Sequence, residues 1–289
     1  MHGRVTDPPG MIAASGALSA RQRSAGRVRL RVGPVGGTGS TRLFDLSESG
    51  PSRLRFPRGE GTLEAVLVNT AGGVACGDTF GIDLDLDPAA DLVLSTTAAE
   101  KIYRSDGPVS WIDNRLTLGK GARLAWLPQE TILFDRARVR RRFEADLAPG
   151  AALIAVEIVA FGRAARGERI AAGLFADAWR VRRDGRLVYA DSLVLEGPIS
   201  DLLARPAIGG GARACATLLD ASEGAEARLD EARARLAALD RPGIEAAASA
   251  WNGNLVIRAL ADAVGPLRDL IARFTAGHRG MPMPRVWQS

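Results

Sequence analysis

Over the first two thirds of the chain, hydrophobic residues recur at every second position, the period of half-buried strands. Arg alternates with Val and Leu over 27–32, which predicts a first strand, and the glycine-rich stretch 33–40 predicts a loop. Ile82, Leu84 and Leu86 alternate with Asp83, Asp85 and Asp87, so that strand has one apolar and one acidic face until Pro88 ends it. Further strands are expected over 64–69 and 91–97, with a strand end at 194–197. "VRRDGRLVY" at 181–189 predicts a hairpin with Asp184 and Gly185 at its turn.

An internal repeat organises this β region. "LDPAADLVL" starts at Leu86, "LGKGARLAW" at Leu118 and "LAPGAALIA" at Leu147, with spacings of 32 and 29 residues. Each has Ala four positions on (Ala90, Ala122, Ala151) and Leu two further (Leu92, Leu124, Leu153). A strand, tight turn, strand unit cannot bury a face alone, so such units stack. Two layers of mostly antiparallel strands, or a helical stack of sheets, are the architectures that follow. A β-meander with Gly-Ala turns gives a similar echo.

Beyond residue 220 the period changes. Ser222 is placed to cap a helix over 223–239, with Pro242 beyond its end, and helices over 254–264 and 266–276 are separated by Gly265 and Pro266. Two prolines in "MPMPRVWQS" predict an extended end. The fold class is therefore mainly β with a helical C-terminal portion, an α+β arrangement of stacked sheets or a β-helix-like repeat. Residues 1–25 read as a mobile tail. Residues 26–289 read as one domain, β-rich over 26–200, helical over 220–276 and extended over 277–289.

Composition narrows the chemistry. The chain is 46% hydrophobic and 25% charged, with net charge +5 carried almost wholly by Arg. Arg136, Arg138, Arg140 and Arg142 share one face if they lie on a strand, which suits phosphate, an acidic protein or a solvated edge. A basic nucleic-acid binder is one alternative reading, and a carbohydrate- or small-molecule-binding β-protein is another. Two cysteines and two histidines allow neither a disulfide framework nor a conventional zinc site, and no catalytic histidine is placed beside a nucleophile. The absence of a signal segment and of an 18-residue apolar run points to the cytoplasm and no membrane span.

Four segments carry the candidate chemistry. "GGVACGD" at 72–78 has Gly72, Gly73 and Gly77 for backbone geometry, without the lysine or following helix of a phosphate loop. Cys76 beside Asp78 reads as a metal ligand or as a buried structural thiol. "STTAAEKIYRS" at 95–105, "WLPQETILF" at 126–134 and "VEIVAFGRAARGE" at 156–168 leave the three units at equivalent places, with Thr97, Gln129 and Ile158 in corresponding positions and Thr96 likewise matching Glu157. Stacking would bring Glu100, Glu130, Asp135, Glu157 and Glu168 to one surface. Carboxylates hold a divalent ion such as Ni²⁺ weakly, and salt-bridged surface carboxylates account for the same residues.

These segments in this order, with "GRVRL", "TRLF", "GPSRLRFPR" and "FGRAARGE" and the terminal "PRVW", resemble the UreD/UreH urease accessory family from residue 26 to the end. Ala98 departs from the pattern, in which many members have Gln after the paired threonines. The resemblance implies stacked sheets with accompanying helices and a scaffold that is not an enzyme. It implies binding of apo-urease together with UreF and the GTPase UreG, as a dimer within the accessory complex. It further implies delivery of nickel, and of carbon dioxide for lysine carbamylation, through an internal passage, with no tightly bound cofactor and Ni²⁺ only in transit. On this reading the metal-transit candidates are Asp78, Glu100, Glu130, Asp135, Glu157 and Glu168. Candidates for partner contact are Tyr103, Arg104, Arg163, Val286 and Trp287.

Overall fold

The computed structural model describes residues 23–36, 39–59 and 61–288. Of the tail expected over 1–25, all but the last three residues lies outside the described residues. Strands β1 (Ala25–Pro34), β2 (Thr41–Ser49), β3 (Ser52–Arg55) and β4 (Leu63–Asn69) precede the repeat. The first unit is β5 (Thr79–Leu86) and β6 (Asp91–Thr96), followed by the short β7 (Glu100–Ile102). The second is β8 (Ser110–Leu118) and β9 (Arg123–Leu127), followed by β10 (Thr131–Leu133), and the third is β11 (Arg138–Leu147) and β12 (Ala152–Phe161).

The repeat builds a stack of parallel strands. β5, β8 and β11 pair in parallel in one sheet, and β6, β9 and β12 in the other. The repeated leucines align in columns: Leu86 beside Leu118 beside Leu147, and Leu92 beside Leu124 beside Leu153. Ala90, Ala122 and Ala151 are fully buried at the corner, where a larger side chain would force the two sheets apart. Amides of one corner donate to carbonyls of the next, Ala89 to Lys120 at 2.9 Å and Gly121 to Pro149 at 3.1 Å. Of the two expected architectures, the helical stack is the one formed; the mostly antiparallel layers are not. Both strands of a unit turn apolar residues inward (Leu84 and Leu86, Leu92 and Leu94), and the corner leaves them facing each other across a core instead of pairing edge to edge.

Antiparallel pairing caps the stack. β1 lies parallel to β5 and antiparallel to β2, and β3 pairs antiparallel with β4. At the other end, β13 (Leu174–Arg183) and β14 (Arg186–Glu196) form the expected hairpin, with Asp184 and Gly185 at left-handed φ of 51° and 75°. The sheets run β14-β13-β11-β8-β5-β1-β2 and, through β15 (Ala214–Asp220), β16 (Ile244–Trp251) and β17 (Asn254–Ala261), β16-β17-β15-β12-β9-β6-β4-β3.

The last third departs from expectation. A short α1 (Ile199–Leu203) precedes β15. Ser222 supplies no side-chain cap: left-handed Gly224 stands before a 3₁₀ turn over 225–228 that runs into α2 (Leu229–Ala238), which ends where the expected helix ends. The stretch 254–264, expected as helix, is mostly strand β17, paired with β16 across Asn252 and Gly253 at φ 51° and 79°. Only α3 (Val264–Arg279) matches the third expected helix. The end is not fully extended: Arg285–Trp287 closes a 3₁₀ turn.

Three apolar clusters result. One fills the sandwich at its corner end, and a second seats α2 and α3 on the outer face of the larger sheet. The third fills the opposite end of the sandwich, around Ile102, Leu133, Val139, Phe161 and Phe175.

Candidate functional site

A polar seam crosses the sandwich between the corner core and the opposite core. It follows from strand alternation. On β11, Val139, Arg141 and Phe143 point inward, and Arg141 is only 8% exposed. Asp177 on β13 lies beside Arg141 in register. Glu157 enters from β12 of the facing sheet, one alternation beyond the core residue Ala155. Arg141 spans the gap: Nη1 donates to Glu157 Oε2 at 2.8 Å and to Thr131 Oγ1 at 2.9 Å, and Nη2 donates to Asp177 Oδ2 at 2.6 Å. Its guanidinium also lies over the Phe175 ring at 5.0 Å. Burial alone would lower its pKa, but Asp177 and Glu157 outweigh that and hold it charged. Glu157 is pushed up by burial, against the pull of Arg141. Arg141 Nε is buried with no hydrogen-bond partner.

This bridge separates two cavities. One, of about 80 Å³, is lined by Asn69, Thr96, Glu100, Asn114, Gln129 and Glu157 among others. The other, of about 580 Å³, opens between β14 and β16 and includes Glu157, Asp177, Asp191, Cys215, Thr217 and Arg258. Glu157 borders both. In the small cavity Glu100 is half-buried, with Asn69 Nδ2 at 3.3 Å from both carboxylate oxygens, and burial pushes its pKa up to about 7. In the large one, burial pushes the Cys215 thiol up to about 12, so it stays protonated.

Of the candidate carboxylates, only Glu100 and Glu157 share a cavity. The unit exits correspond in place but not residue for residue. β9 and β12 pair with Trp126 beside Ala155, whereas β10 resumes with Thr131 beside Val159 and Glu100, so the loops at 97–99 and 128–130 absorb a slip that moves Glu157 off the expected surface. Glu130 faces α3, with Arg268 at 3.4 Å. Asp135 accepts from the Ala171 and Ala172 amides at 2.7 and 3.2 Å. Glu168 is clamped by Arg163 at 2.7 and 2.8 Å, and these hydrogen bonds draw it down to about 2. Asp78 is a buried turn carboxylate, accepting from the Ser24 amide at 2.7 Å and the Ala75 amide at 2.8 Å.

The glycine turn has the geometry read from its sequence. Gly72, Gly73 and Gly77 all have positive φ, and a Cβ on Gly73 would lie 2.4 Å from the Tyr103 ring. Tyr103 Oη donates to Gly72 O at 3.0 Å, and its ring meets Phe134, over which Arg163 stacks. Arg104 bridges in the chain to Ala137. Cys76 is half-buried, its thiol 2.9 Å from Asp106 Oδ1. Trp287 is buried within its own chain, at 4% exposed, and Val286 is half-buried beside it.

Arg138, Arg140 and Arg142 share the outer face of β11 as expected, whereas Arg136 lies before the strand, and acidic neighbours offset part of their charge. Arg136 sits in a left-handed turn before β11, 3.7 Å from Asp135. Arg138 and Arg142 each lie 3.9 Å from Glu196 and Asp113 respectively. Across the outer face, register places Arg29, Asp83, Arg115, Glu144 and Arg180 in one row of alternating sign. Such a row cancels its own field, which disfavours the nucleic-acid alternative. Sequence reasoning missed Arg141 and Asp177. Arg141 is the one arginine of its run in the inward phase, but nothing local distinguishes it from its neighbours.

Comparison with known proteins gives a consistent picture. The family model described as UreD urease accessory protein matches residues 24–288. The "Urease accessory protein UreD 1" of Methylobacterium radiotolerans is 76% identical over 289 residues, the whole of both chains. The "Urease accessory protein UreD" of Xanthobacter autotrophicus is 54% identical over 267 residues, covering 92% of this chain and 91% of its own. That of Rhodopseudomonas palustris strain HaA2 is 47% identical over 278 residues, covering 95% and 97%.

Proposed function

This chain belongs to the UreD urease accessory protein family, whose role is in urease maturation, and we propose that it is a cytoplasmic, non-catalytic chaperone whose polar seam conducts nickel to apo-urease. It acts with UreF and UreG, holds no resident cofactor, and treats Ni²⁺ as cargo. The observation that carries this reading is that Glu100 and Glu157 border one internal cavity while Glu157 also borders the next. Apolar cores flank the seam on both sides, so its polar groups form a strip between two dry walls. Carboxylate and amide oxygens suit transit, because they release nickel more readily than imidazole or thiolate would. Cys215, the thiol within reach, is kept protonated and is a poor ligand in that form.

Glu100→Gln and Glu157→Gln test the reading. Each chain is co-expressed with urease and its accessory proteins, and nickel per purified urease is measured together with activity. Both variants should lower nickel occupancy and activity in parallel, several-fold. Asp135→Asn, outside the seam, should leave both unchanged. Normal loading by both glutamate variants would overturn the proposal.

A further inference from the structure

Between the two cavities stands a charged bridge, of which the transit reading uses Glu157 alone. Arg141 reaches from one sheet to the other, held by Glu157 on β12 and by Asp177 beside it on β13. Its side chain is 7% exposed, and those of Glu157 and Asp177 are 11% and 13% exposed. Two carboxylates share one guanidinium in a poorly solvated place, and burial works against the charged form of Glu157. A divalent cation set between the same two carboxylates would match both of them in their ionised forms. Arg141 therefore occupies the place that a passing metal ion needs, and it is covalently tied to β11. Its buried Nε–H has no partner, so the guanidinium is fully engaged on one edge only. The neighbouring charges are Asp191 and Arg258, which pair with each other at 2.5 Å, and Glu100 in the small cavity.

We propose that Arg141 is a tethered counter-cation that gates the passage, filling the Glu157–Asp177 site when no metal is present and swinging off it to let a divalent ion through. This rests on the seam being the nickel path. The gate keeps the two carboxylates from retaining metal, because the guanidinium returns and competes the ion off. Asp177 thereby joins Glu157 as a ligand in transit.

The test uses the full-length chain and Ni²⁺ alone, by equilibrium dialysis. Arg141→Met and Arg141→Gln remove the charge, with Gln keeping a donor for Thr131. Either folded variant should gain one Ni²⁺ equivalent bound at least about tenfold more tightly than the unaltered chain binds it. Adding Glu157→Gln or Asp177→Asn should abolish the gain, and Arg141→Lys, which keeps the cation, should show none. In the urease loading assay the gain in binding should accompany a loss of delivery, whereas simple structural damage lowers both. If Arg141→Met and Arg141→Gln fold and bind no more nickel than the unaltered chain, the gate is wrong. If that happens while Glu157→Gln still blocks loading, the passage survives without its gate. If the nickel site appears but Glu157→Gln loads urease normally, the passage fails, and Arg141 stands only as a device that excludes metal.

Discussion

Ala89, Gly121 and Gly150 occupy the same corner of three successive units, with left-handed φ of 62°, 66° and 70°. Two of the three are glycine, the residue that adopts this conformation without a Cβ penalty. No atom lies within ordinary contact of a Cβ built on Gly121, and only Gly121 itself, at 3.8 Å, is near one on Gly150. The cost of a side chain at these corners is therefore conformational and not steric. Ala89 bears that cost already. Ala89→Gly should stabilise the chain by about 0.5 kcal/mol, the left-handed penalty less the extra entropy glycine loses on folding. Gly121→Ala and Gly150→Ala, the reverse change in the same conformation, should each destabilise it by about 0.5 kcal/mol. Urea unfolding of the three variants checks this, and equal losses in all three would mean that the corner conformation is not what the repeat conserves in its geometry. The corner was legible from sequence because turn chemistry is local. Arg141 was not, because its burial depends on Glu157 and Asp177, which lie 16 and 36 residues away along the chain.

At the scale of elements, the C-terminal segment is a clamp. Trp287 Nε1 donates to Leu127 O at 3.0 Å, Arg268 of α3 stacks on its ring at 5.0 Å, and Gln129 Nε2 donates to Val286 O. Arg268 also donates to Gln129 Oε1 at 2.7 Å. The clamp thus joins α3 to the 128–130 loop, whose Pro128 and Gln129 line the small cavity. Trp287→Ala removes a buried aromatic from this junction and should cost about 3–5 kcal/mol. The loss is read by denaturation of the isolated chain, with no partner present. A change within 0.5 kcal/mol, near the noise of surface substitutions, would mean that the clamp adds nothing to the stability of the chain. The neighbouring hairpin shows how element type was misread. Residues 254–261 are rich in Ala and Leu and resemble a helix in composition, but Asn252 and Gly253 just before them spell a two-residue hairpin turn. Pairing with β15 on the other side then fixes β17 as an interior strand, and tertiary context overrides propensity. The parallel stack, by contrast, was within reach of sequence through the leucine and alanine columns. Only the choice between facing and pairing strands required the corner geometry.

For the whole molecule, the seam couples stability to pH. Glu100 is held at about 7 by burial, against a reference of 4.5. Between these values the folded chain keeps a proton that the unfolded chain has released. The folded state then binds more protons, so stability falls as pH rises through that window and levels off above about 7. The full effect is at most about 3 kcal/mol. Glu168 works in the opposite sense: its carboxyl is drawn down to about 2, so its contribution is present above 4.5 and is lost as pH falls toward 2. The two effects occupy separate windows and are separable by substitution. Glu100→Gln should be stabilising relative to the native chain by an amount that grows between pH 5 and pH 7 and is constant beyond. Urea unfolding at pH 5, 6, 7 and 8 for both chains measures the difference directly. A difference that stays flat across those four points would mean that Glu100 ionises like an exposed carboxylate. In that case the small cavity is open to water and cannot shield an ion. A growing difference would show the proton held where a passing cation must displace it, tying the strain of burying Glu100 to the path on which it lies.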